Sequence, residues 1–183
     1  FGNKLKSLPA EICGLKKLTS LCLNNNQLEK LPEKIGDLTN LTELIVNNNC
    51  LEKLPDSISR LKKLKYLLAY ENKLKSLPRE IGKLNTLTDL WVYDNNLTQL
   101  PSEIGLLNNF QELWISKNKI SLLPDSIGYL KSLRQLNITN NNVSTLPLHI
   151  LNLEKLNWLE VDNTVTVPKE LDYLVQNKII NFV

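Results

Sequence analysis

Residues 74–96 read LKSLPREIGKLNTLTDLWVYDNN, and this stretch decides the fold because its pattern recurs along the chain. Seven consecutive blocks of 23 residues occupy residues 5–165 and share the pattern LxxLPxxIxxLxxLxxLxLxxNx. Position 5 of the block is proline and position 8 is isoleucine in all seven blocks, and position 22 is asparagine in the first six. A fixed period of this length is typical of repeat proteins, in which each unit packs against its neighbours. The pattern therefore predicts a solenoid rather than a compact enzyme with one core.

The hydrophobic period changes within each block. Ile58, Leu61 and Leu64 are three residues apart, which predicts a short helix or 3₁₀ segment with one buried face. Leu67 and Ala69, at positions 17 and 19, are two residues apart, which predicts a strand whose position 18 points away from the core. Proline at position 5 is suited to the start of the helical segment, where its missing N–H would have no partner in any case.

Asparagine at position 22 follows each predicted strand, where the backbone must bend inside the stack. Its amide both donates and accepts, so a column of asparagines can satisfy buried backbone groups from one block to the next. A buried group left unpaired costs roughly 1–3 kcal/mol, and we therefore expect a structural role for the column. Glycine at position 9 in four blocks predicts close packing of the helical turns.

On these residues the chain resembles the leucine-rich repeat family. The block at 74–96 is similar to the 23-residue LPxxI subclass, which is typical of Ras-pathway scaffolds, plant intracellular Ras-group-related proteins and bacterial proteins, including those of spirochaetes. The resemblance implies an α/β fold: a horseshoe-shaped solenoid with a parallel sheet on the concave side and short helical or 3₁₀ segments on the convex side. It also implies partner binding, mostly on the concave side, but no particular chemistry, because the family is defined by its scaffold.

The chain is predicted to form a single leucine-rich repeat domain, 1–183. Its expected parts are a truncated repeat at 1–4, seven 23-residue repeats at 5–165 and a closing repeat at 166–183. Asn3 lies 23 residues before Asn26 and the chain has no methionine, so we expect the native protein to extend further towards its N-terminus. At the other end, residues 178–183 predict a last strand, with Ile180 and Phe182 in the core positions 17 and 19.

The composition excludes several classes of partner. A hydrophobic content of 42% with 22% charged residues is ordinary for a soluble folded chain. The 22 basic and 19 acidic residues give a net charge of +3, which gives little support to nucleic-acid binding. No apolar run approaches the roughly 20 residues that span a bilayer. We expect a monomer that binds no nucleic acid and has no membrane span.

The residues that carry most enzyme chemistry are sparse and scattered. His149 is the single histidine, and no serine or cysteine is placed to share a proton with it. Cys13, Cys22 and Cys50 lack the spacing of a metal site. The sequence therefore predicts no enzymatic activity, no catalytic residues, no metal and no cofactor. Three cysteines without cysteine-rich caps favour a cytoplasmic location, and a secreted or surface location in a bacterium is the alternative.

The strand positions that point away from the core carry an aromatic cluster in blocks three to five. Neighbouring strands lie about 4.8 Å apart, so equivalent positions touch. The predicted partner-binding patch consists of Tyr66, Leu68, Tyr70, Trp91, Tyr93 and Trp114, surrounded by Glu43, Glu71, Asp89, Asp94 and Glu112. Tryptophan and tyrosine are enriched at binding hot spots. The alternative is that the aromatic side chains only stabilise the exposed sheet, by about 0.2–1 kcal/mol for each cross-strand pair.

These observations predict a non-enzymatic protein–protein interaction module of the scaffold or signalling type, which binds a protein or peptide on the concave sheet face. The carboxylates around the aromatic side chains favour a basic and apolar peptide segment. One alternative is the recognition segment of a larger signalling enzyme, such as a kinase, GTPase or ubiquitin ligase. Another is a secreted or surface bacterial protein that binds host molecules.

Overall fold

The computed structural model describes residues 3–183, which form one open sheet of eight parallel strands with short 3₁₀ helices. The spatial order of the strands is their order in the sequence. The strands are β1 Ser20–Cys22, β2 Glu43–Ile45, β3 Tyr66–Leu68, β4 Asp89–Trp91, β5 Glu112–Trp114, β6 Gln135–Asn137, β7 Trp158–Val161 and β8 Ile180–Phe182. The predicted solenoid is confirmed. The expected truncated repeat at 1–4 begins outside the described residues, and the domain boundaries stay a prediction.

Short helices connect the strands on the other side of the core. The 3₁₀ helices are Ala10–Gly14, Ile35–Asp37, Asp56–Arg60, Arg79–Lys83, Ser102–Leu106, Asp125–Tyr129, Leu148–Asn152 and Lys169–Leu171, and helix α1 is Asp172–Gln176. Proline directly precedes most of the 3₁₀ helices, and its carbonyl accepts the first turn's hydrogen bond, as from Ile81 N–H to Pro78 at 3.0 Å. The predicted 3₁₀ segment is therefore confirmed, but it is shorter than the three-residue spacing suggests, since Leu61 and Leu64 follow the helix Asp56–Arg60.

The core is a continuous column of side chains from these repeats. Strand neighbours are paired in a register of 23 residues, so Leu44 lies beside Leu67 and Leu67 beside Leu90. All three are fully buried, as is Ala69 at position 19. Because positions 17 and 19 face the core, positions 16 and 18 of every strand lie on the opposite side, called the sheet face below.

The asparagine column satisfies the buried backbone as predicted. The side-chain Oδ1 of Asn72 accepts a hydrogen bond from the backbone N–H of Leu51 at 2.9 Å. Its Nδ2 donates to the carbonyls of Val46 at 3.0 Å and Ala69 at 3.2 Å. Equivalent bonds recur at the other column positions. The asparagines from Asn49 to Asn141 thus each link their own repeat to the backbone of the preceding one.

The glycines at position 9 permit close contact between consecutive 3₁₀ helices. A Cβ atom added to Gly82 would lie 2.4 Å from the backbone oxygen of Glu103 in the next repeat. A Cβ atom added to Gly14, which lies one position later in its own block, would meet nothing within 4 Å. The predicted close packing is therefore confirmed at position 9.

The sharp bend after each strand lies at position 21, one residue before the asparagine column. The residue there has a positive φ in the first six blocks: Asn25, Asn48, Glu71, Asp94, Lys117 and Asn140. Only glycine, asparagine and aspartate adopt this left-handed conformation readily. Glu71 and Lys117 therefore adopt it against their intrinsic preference, held by the regular ladder on both sides.

The turn after β6 differs from the earlier turns in its hydrogen bonds. The backbone N–H of Asn140 donates to both carboxylate oxygens of Asp162, at 3.0 and 2.8 Å, where earlier blocks use a backbone carbonyl. The expected last strand is present as β8, and Ile180 is buried beside Leu159. Phe182 was expected in the core but is 42% exposed, because β8 is the edge strand of the sheet formed by residues 3–183.

Candidate functional site

The aromatic side chains of blocks three to five form a continuous row on the sheet face. The rings of Tyr70 and Tyr93 stack with centroids 4.4 Å apart and planes inclined by 9°. Tyr70 lies 6.4 Å from Trp91, and Trp91 lies 5.7 Å from Trp114. Burial, followed by the neighbouring Tyr70, raises the pKa of Tyr93 to about 12. The structure therefore brings together the aromatic residues of the predicted patch, while Tyr66 remains 44% exposed beside them.

Trp158 extends this row and was not included in the predicted patch. Its ring stacks on that of Trp114, with centroids 5.5 Å apart and planes inclined by 27°. Trp158 lies on β7 and Trp114 on β5, so their backbones are two strand spacings apart, or about 10 Å. The two rings approach each other across β6, where Asn137 is 95% buried. The only sequence signal was a third tryptophan at an outward-facing strand position.

Beneath this end of the row, Asn137 forms a small polar network. Its Nδ2 donates to the carboxylate of Glu160 at 2.6 Å. Its Oδ1 accepts from the backbone N–H of Thr139 at 3.0 Å and from the Thr139 hydroxyl at 2.8 Å. Both polar atoms of the amide are therefore satisfied, which lets a polar residue sit under aromatic rings.

A hollow of about 310 Å³ opens on the sheet face beside the row. Its lining residues are Glu43, Tyr66, Leu68, Asp89, Trp91 and Glu112. They come from four adjacent strands, β2 to β5, and all belong to the predicted patch. The volume is at the low end of the roughly 300–1,000 Å³ range of small-ligand sites. The hollow is open to solvent, so it is suited to one side chain of a larger partner.

Two carboxylates of the hollow lie side by side on adjacent strands. Asp89 and Glu112 are paired residues of β4 and β5. Burial, followed by the negative charge of Asp89, raises the pKa of Glu112 above its ordinary value. The indole N–H groups of Trp91 and Trp114 act in the other direction and lower this pKa. Burial and the Asp89 charge outweigh the two indole groups, so the ionised form of Glu112 is disfavoured at this position.

The two indole N–H groups have no fixed acceptor. The Nε1 atoms of Trp91 and Trp114 are buried, and neither makes a hydrogen bond of normal geometry among residues 3–183. They lie close enough to Glu112 to affect its pKa without reaching hydrogen-bond geometry. A buried donor without a partner costs roughly 1–3 kcal/mol, so a small shift of the Glu112 side chain towards either ring is favourable.

The acidic groups of the patch differ in their surroundings. Glu43 accepts a hydrogen bond from the Ser20 hydroxyl at 2.7 Å, and the Thr88 hydroxyl donates to Asp89. These donors are neutral. In the described part of the chain, no lysine, arginine or histidine lies within 4.0 Å of Glu43, Asp89 or Glu112.

The other two predicted acidic residues, Glu71 and Asp94, lie outside the hollow, in the left-handed turns at position 21. Both are exposed. Asp94 is 4.0 Å from the ammonium group of Lys117, so it is partly neutralised, unlike the carboxylates of the hollow. These two residues therefore border the patch rather than line it.

A larger hollow of about 490 Å³ lies at the turn edge of the sheet. Its lining combines Glu29 and Glu52 with lysines, and Lys75 neutralises Glu52 in an ion pair of 2.7 Å. Its lining contains no aromatic side chain. The three lysines of its lining outnumber the two glutamates, so it lacks both the negative charge and the aromatic surface of the hollow on the sheet face.

Two further features concern chemistry and membranes. His149 Nδ1 lies 3.3 Å from the carboxylate of Asp125 at the helical side of the solenoid. Within residues 3–183, no three histidine, cysteine, aspartate or glutamate side chains are grouped to hold a metal ion. Over the same residues, every helix is too short or too polar to cross a membrane.

Comparison with known proteins agrees with this architecture. Two leucine-rich repeat sequence profiles match the chain, one at residues 16–74 and the other at residues 109–130. The chain belongs to the leucine-rich repeat family. Among curated proteins none matches it. The fold of this family is a general protein-interaction module, whereas the LPxxI subclass of this chain stays a prediction.

Three solved structures from different organisms are similar to this chain. A leucine-rich repeat protein of Leptospira interrogans is 32% identical over 98% of this chain and 57% of its own, with a TM-score of 0.55. An internalin of Listeria monocytogenes is 21% identical over 96% of this chain and 50% of its own, with a TM-score of 0.81. The plant peptide hormone receptor RGFR1, in complex with RGF2, is 28% identical over 91% of this chain and 34% of its own, with a TM-score of 0.71. The chain thus spans 57% or less of the length of each.

Proposed function

We propose that this leucine-rich repeat chain binds a partner protein or extended peptide on its sheet face, without enzymatic activity of its own. The observation that carries the proposal is the continuous aromatic row, which is only partly buried and borders three carboxylates without a cationic partner. Exposed apolar surface of this kind usually marks an interface in a soluble protein. The plant receptor among the similar structures, which was solved with a peptide hormone, is consistent with this use of the fold.

The charge of the patch favours a segment that is both basic and apolar. Tyrosine and tryptophan bury large areas at low conformational cost, which suits them to apolar contacts. The carboxylates beside them steer a basic partner during encounter and disfavour an acidic one. We further propose a scaffold or signalling role in the cytoplasm, which the three free cysteines of the described residues support.

The competing explanation is that the row only stabilises the sheet. The rings of Tyr70, Tyr93, Trp91 and Trp114 do pack on one another, so their substitution affects stability as well as binding. Tyr66 separates the two explanations, because it is 44% exposed and stacks on no described aromatic ring. Its removal should therefore reduce binding with little loss of stability.

The test begins with affinity capture from the source cells and then measures the Kd of a captured protein after purification. Three variants are compared with the wild type: Trp91→Ala with Trp114→Ala, Tyr66→Ala, and Tyr129→Ala on the helical side, where Tyr129 is exposed. We expect the double variant to bind at least tenfold more weakly and Tyr66→Ala severalfold more weakly, with Tyr129→Ala unchanged. Unchanged binding in both sheet-face variants, together with a large fall in the Tm of the double variant, would show that the row is purely structural.

A further inference from the structure

The hollow beside the aromatic row has a shape and lining that fit one long side chain. Tyr66, Leu68 and Trp91 form the aromatic and apolar part of its lining. The carboxylates of Asp89 and Glu112 lie at one end of it, on adjacent strands. An entering group therefore meets both aromatic surface and negative charge.

The carboxylates of the hollow lack any positive charge of their own. Within residues 3–183, Glu43 and Asp89 receive side-chain hydrogen bonds from the neutral hydroxyls of Ser20 and Thr88, and from no cationic group. Six other acidic side chains of residues 3–183 do have a cationic partner within 4.0 Å, among them Asp37 with Arg60 at 3.2 Å. Negative charge brought together and left unneutralised in a partly buried hollow is complementary to a cation from outside.

The chemistry of the lining favours a guanidinium group over other cations. A metal ion is disfavoured because the described residues present no group of three ligating side chains. A lysine ammonium is a compact and strongly hydrated charge, whereas a guanidinium is planar and weakly hydrated. It can stack on an indole face and donate several hydrogen bonds to carboxylates at the same time. Trp91 beside Asp89 and Glu112 offers both kinds of contact.

We propose that the hollow lined by Tyr66, Trp91, Asp89 and Glu112 binds the guanidinium group of an arginine in the partner, and that this arginine is flanked by apolar residues that contact the aromatic row. The inference rests on the proposed function and specifies the chemistry of the partner segment. The arginine lies against Trp91, with its donors directed at Asp89 and Glu112. Glu43 adds a third carboxylate to the lining of the hollow.

Two blocked peptides test the inference without knowledge of the partner. The probes are acetyl-Leu-Arg-Leu-amide and the same peptide with citrulline, which has nearly the shape of arginine but no charge. The chain has three tryptophans, so the indole N–H signals in a nitrogen–proton NMR spectrum are few and can be assigned with single Trp→Phe variants. We expect the arginine peptide to shift the Trp91 and Trp114 indole signals saturably, with a Kd at least tenfold lower than that of the citrulline peptide.

Variants locate the site within the sheet face. Asp89→Asn combined with Glu112→Gln should weaken the arginine peptide at least tenfold and leave the citrulline peptide unchanged. The matched control is Asp94→Asn, which removes a carboxylate outside the hollow that already faces Lys117. It should change the affinity of the arginine peptide less than twofold.

The outcomes separate this inference from the proposed function. Equal binding of the two peptides, or no shift of the indole signals by either, overturns the arginine site but leaves partner binding on the sheet face to the capture experiment. A selective arginine shift that disappears in Asp89→Asn with Glu112→Gln supports the site. If that shift is present while the purified partner binds the sheet-face variants normally, the arginine site stands and the proposed function fails.

Discussion

The indole rings of Trp114 and Trp158 stack on each other with centroids 5.5 Å apart, although a whole strand separates their backbones. The contact ties the fifth repeat to the seventh on the sheet face, whereas the core side chains pack from one repeat to the next. Double-mutant cycles on aromatic pairs typically give about 0.5–1.5 kcal/mol. The aromatic row thus adds a longer-range connection to an otherwise sequential stack.

We expect Trp114→Ala and Trp158→Ala to be energetically coupled. The free energy of unfolding of the double variant should exceed the value expected from adding the two single losses by about 0.5–1.5 kcal/mol, because the stacking is lost only once. Urea denaturation of the four proteins measures this coupling. A parallel cycle with Trp114 and Tyr66, which do not stack, should give a coupling near zero. Equal coupling in both cycles would contradict direct stacking.

Asn72→Ala should lower the free energy of unfolding by about 2–4 kcal/mol. The substitution leaves the Leu51 N–H and the carbonyls of Val46 and Ala69 without their side-chain partner in a buried region. Asn26→Ala is the control, since its bond to the Leu5 N–H is exposed and water can replace it. We expect the control to lose about 1 kcal/mol or less, as measured by urea denaturation. A comparable loss in both variants would argue against burial as the cause.

Gly82→Ala should lower the free energy of unfolding by about 1–3 kcal/mol, because the added methyl group would overlap the backbone oxygen of Glu103. Backbone atoms of the next repeat have little freedom to move away. Gly14→Ala supplies the comparison, since its added methyl group meets no atom within 4 Å. That change should alter the stability by less than about 1 kcal/mol in either direction. Thermal melts of both variants provide the measurement, and a fall in Tm confined to Gly14→Ala would refute the packing argument.

Glu112 makes the stability of the protein fall as the pH rises. Burial and the Asp89 charge raise its pKa in the folded state, so the folded protein holds this proton at pH values where the unfolded chain has released it. The contribution of Glu112 to the free energy of unfolding is fully present below the unfolded pKa of about 4.3, and it is lost as the pH rises through the folded pKa. Glu112→Gln should therefore raise the Tm at neutral pH relative to the wild type and have little effect at pH 3.

Glu52 offers a comparison of opposite sign. Its hydrogen bond and charge interaction with Lys75 lower its pKa in the folded state, so its contribution to stability is gained as the pH rises and is lost in acid. Glu52→Gln should therefore lower the Tm at neutral pH slightly, because this ion pair is exposed. The Tm of each variant minus that of the wild type is measured from pH 3 to pH 7. This difference should rise with pH for Glu112→Gln and fall with pH for Glu52→Gln.

Much of the molecule could be predicted because the period fixes the register. Once the 23-residue spacing is known, parallel pairing places Asp89 beside Glu112 and Trp91 beside Trp114 without further information. The role of the asparagine column could be predicted for the same reason, because a residue type that recurs at one position of the repeat lies in the same surroundings each time. The six residues of the hollow were all in the predicted patch for this reason.

The remaining features depend on side-chain directions or on residues that do not repeat. Trp158 reaches Trp114 only because its ring lies across β6, which no spacing rule anticipates. Glu71 and Lys117 give no sequence signal for the left-handed turn at position 21, whereas Asn25, Asn48, Asp94 and Asn140 are residue types that favour it. The carboxylate of Asp162 replaces a backbone acceptor once in the chain, so periodicity had no means to reveal it.

The Oδ1 and Nδ2 atoms of the asparagine column fix the length of the unit by which the stack can grow. Asn72 accepts from a residue 21 positions earlier and donates to one 26 positions earlier, and these offsets are the same at Asn49, Asn95 and Asn118 where the partners exist. Insertion of a single residue between two consecutive asparagines of the column changes both offsets and shifts the partners out of reach. Duplication or deletion of 23 residues keeps the offsets and restores every bond. We therefore expect the number of repeats to change in whole units, so that the sheet face is lengthened at one end while the patch of blocks three to five stays as it is.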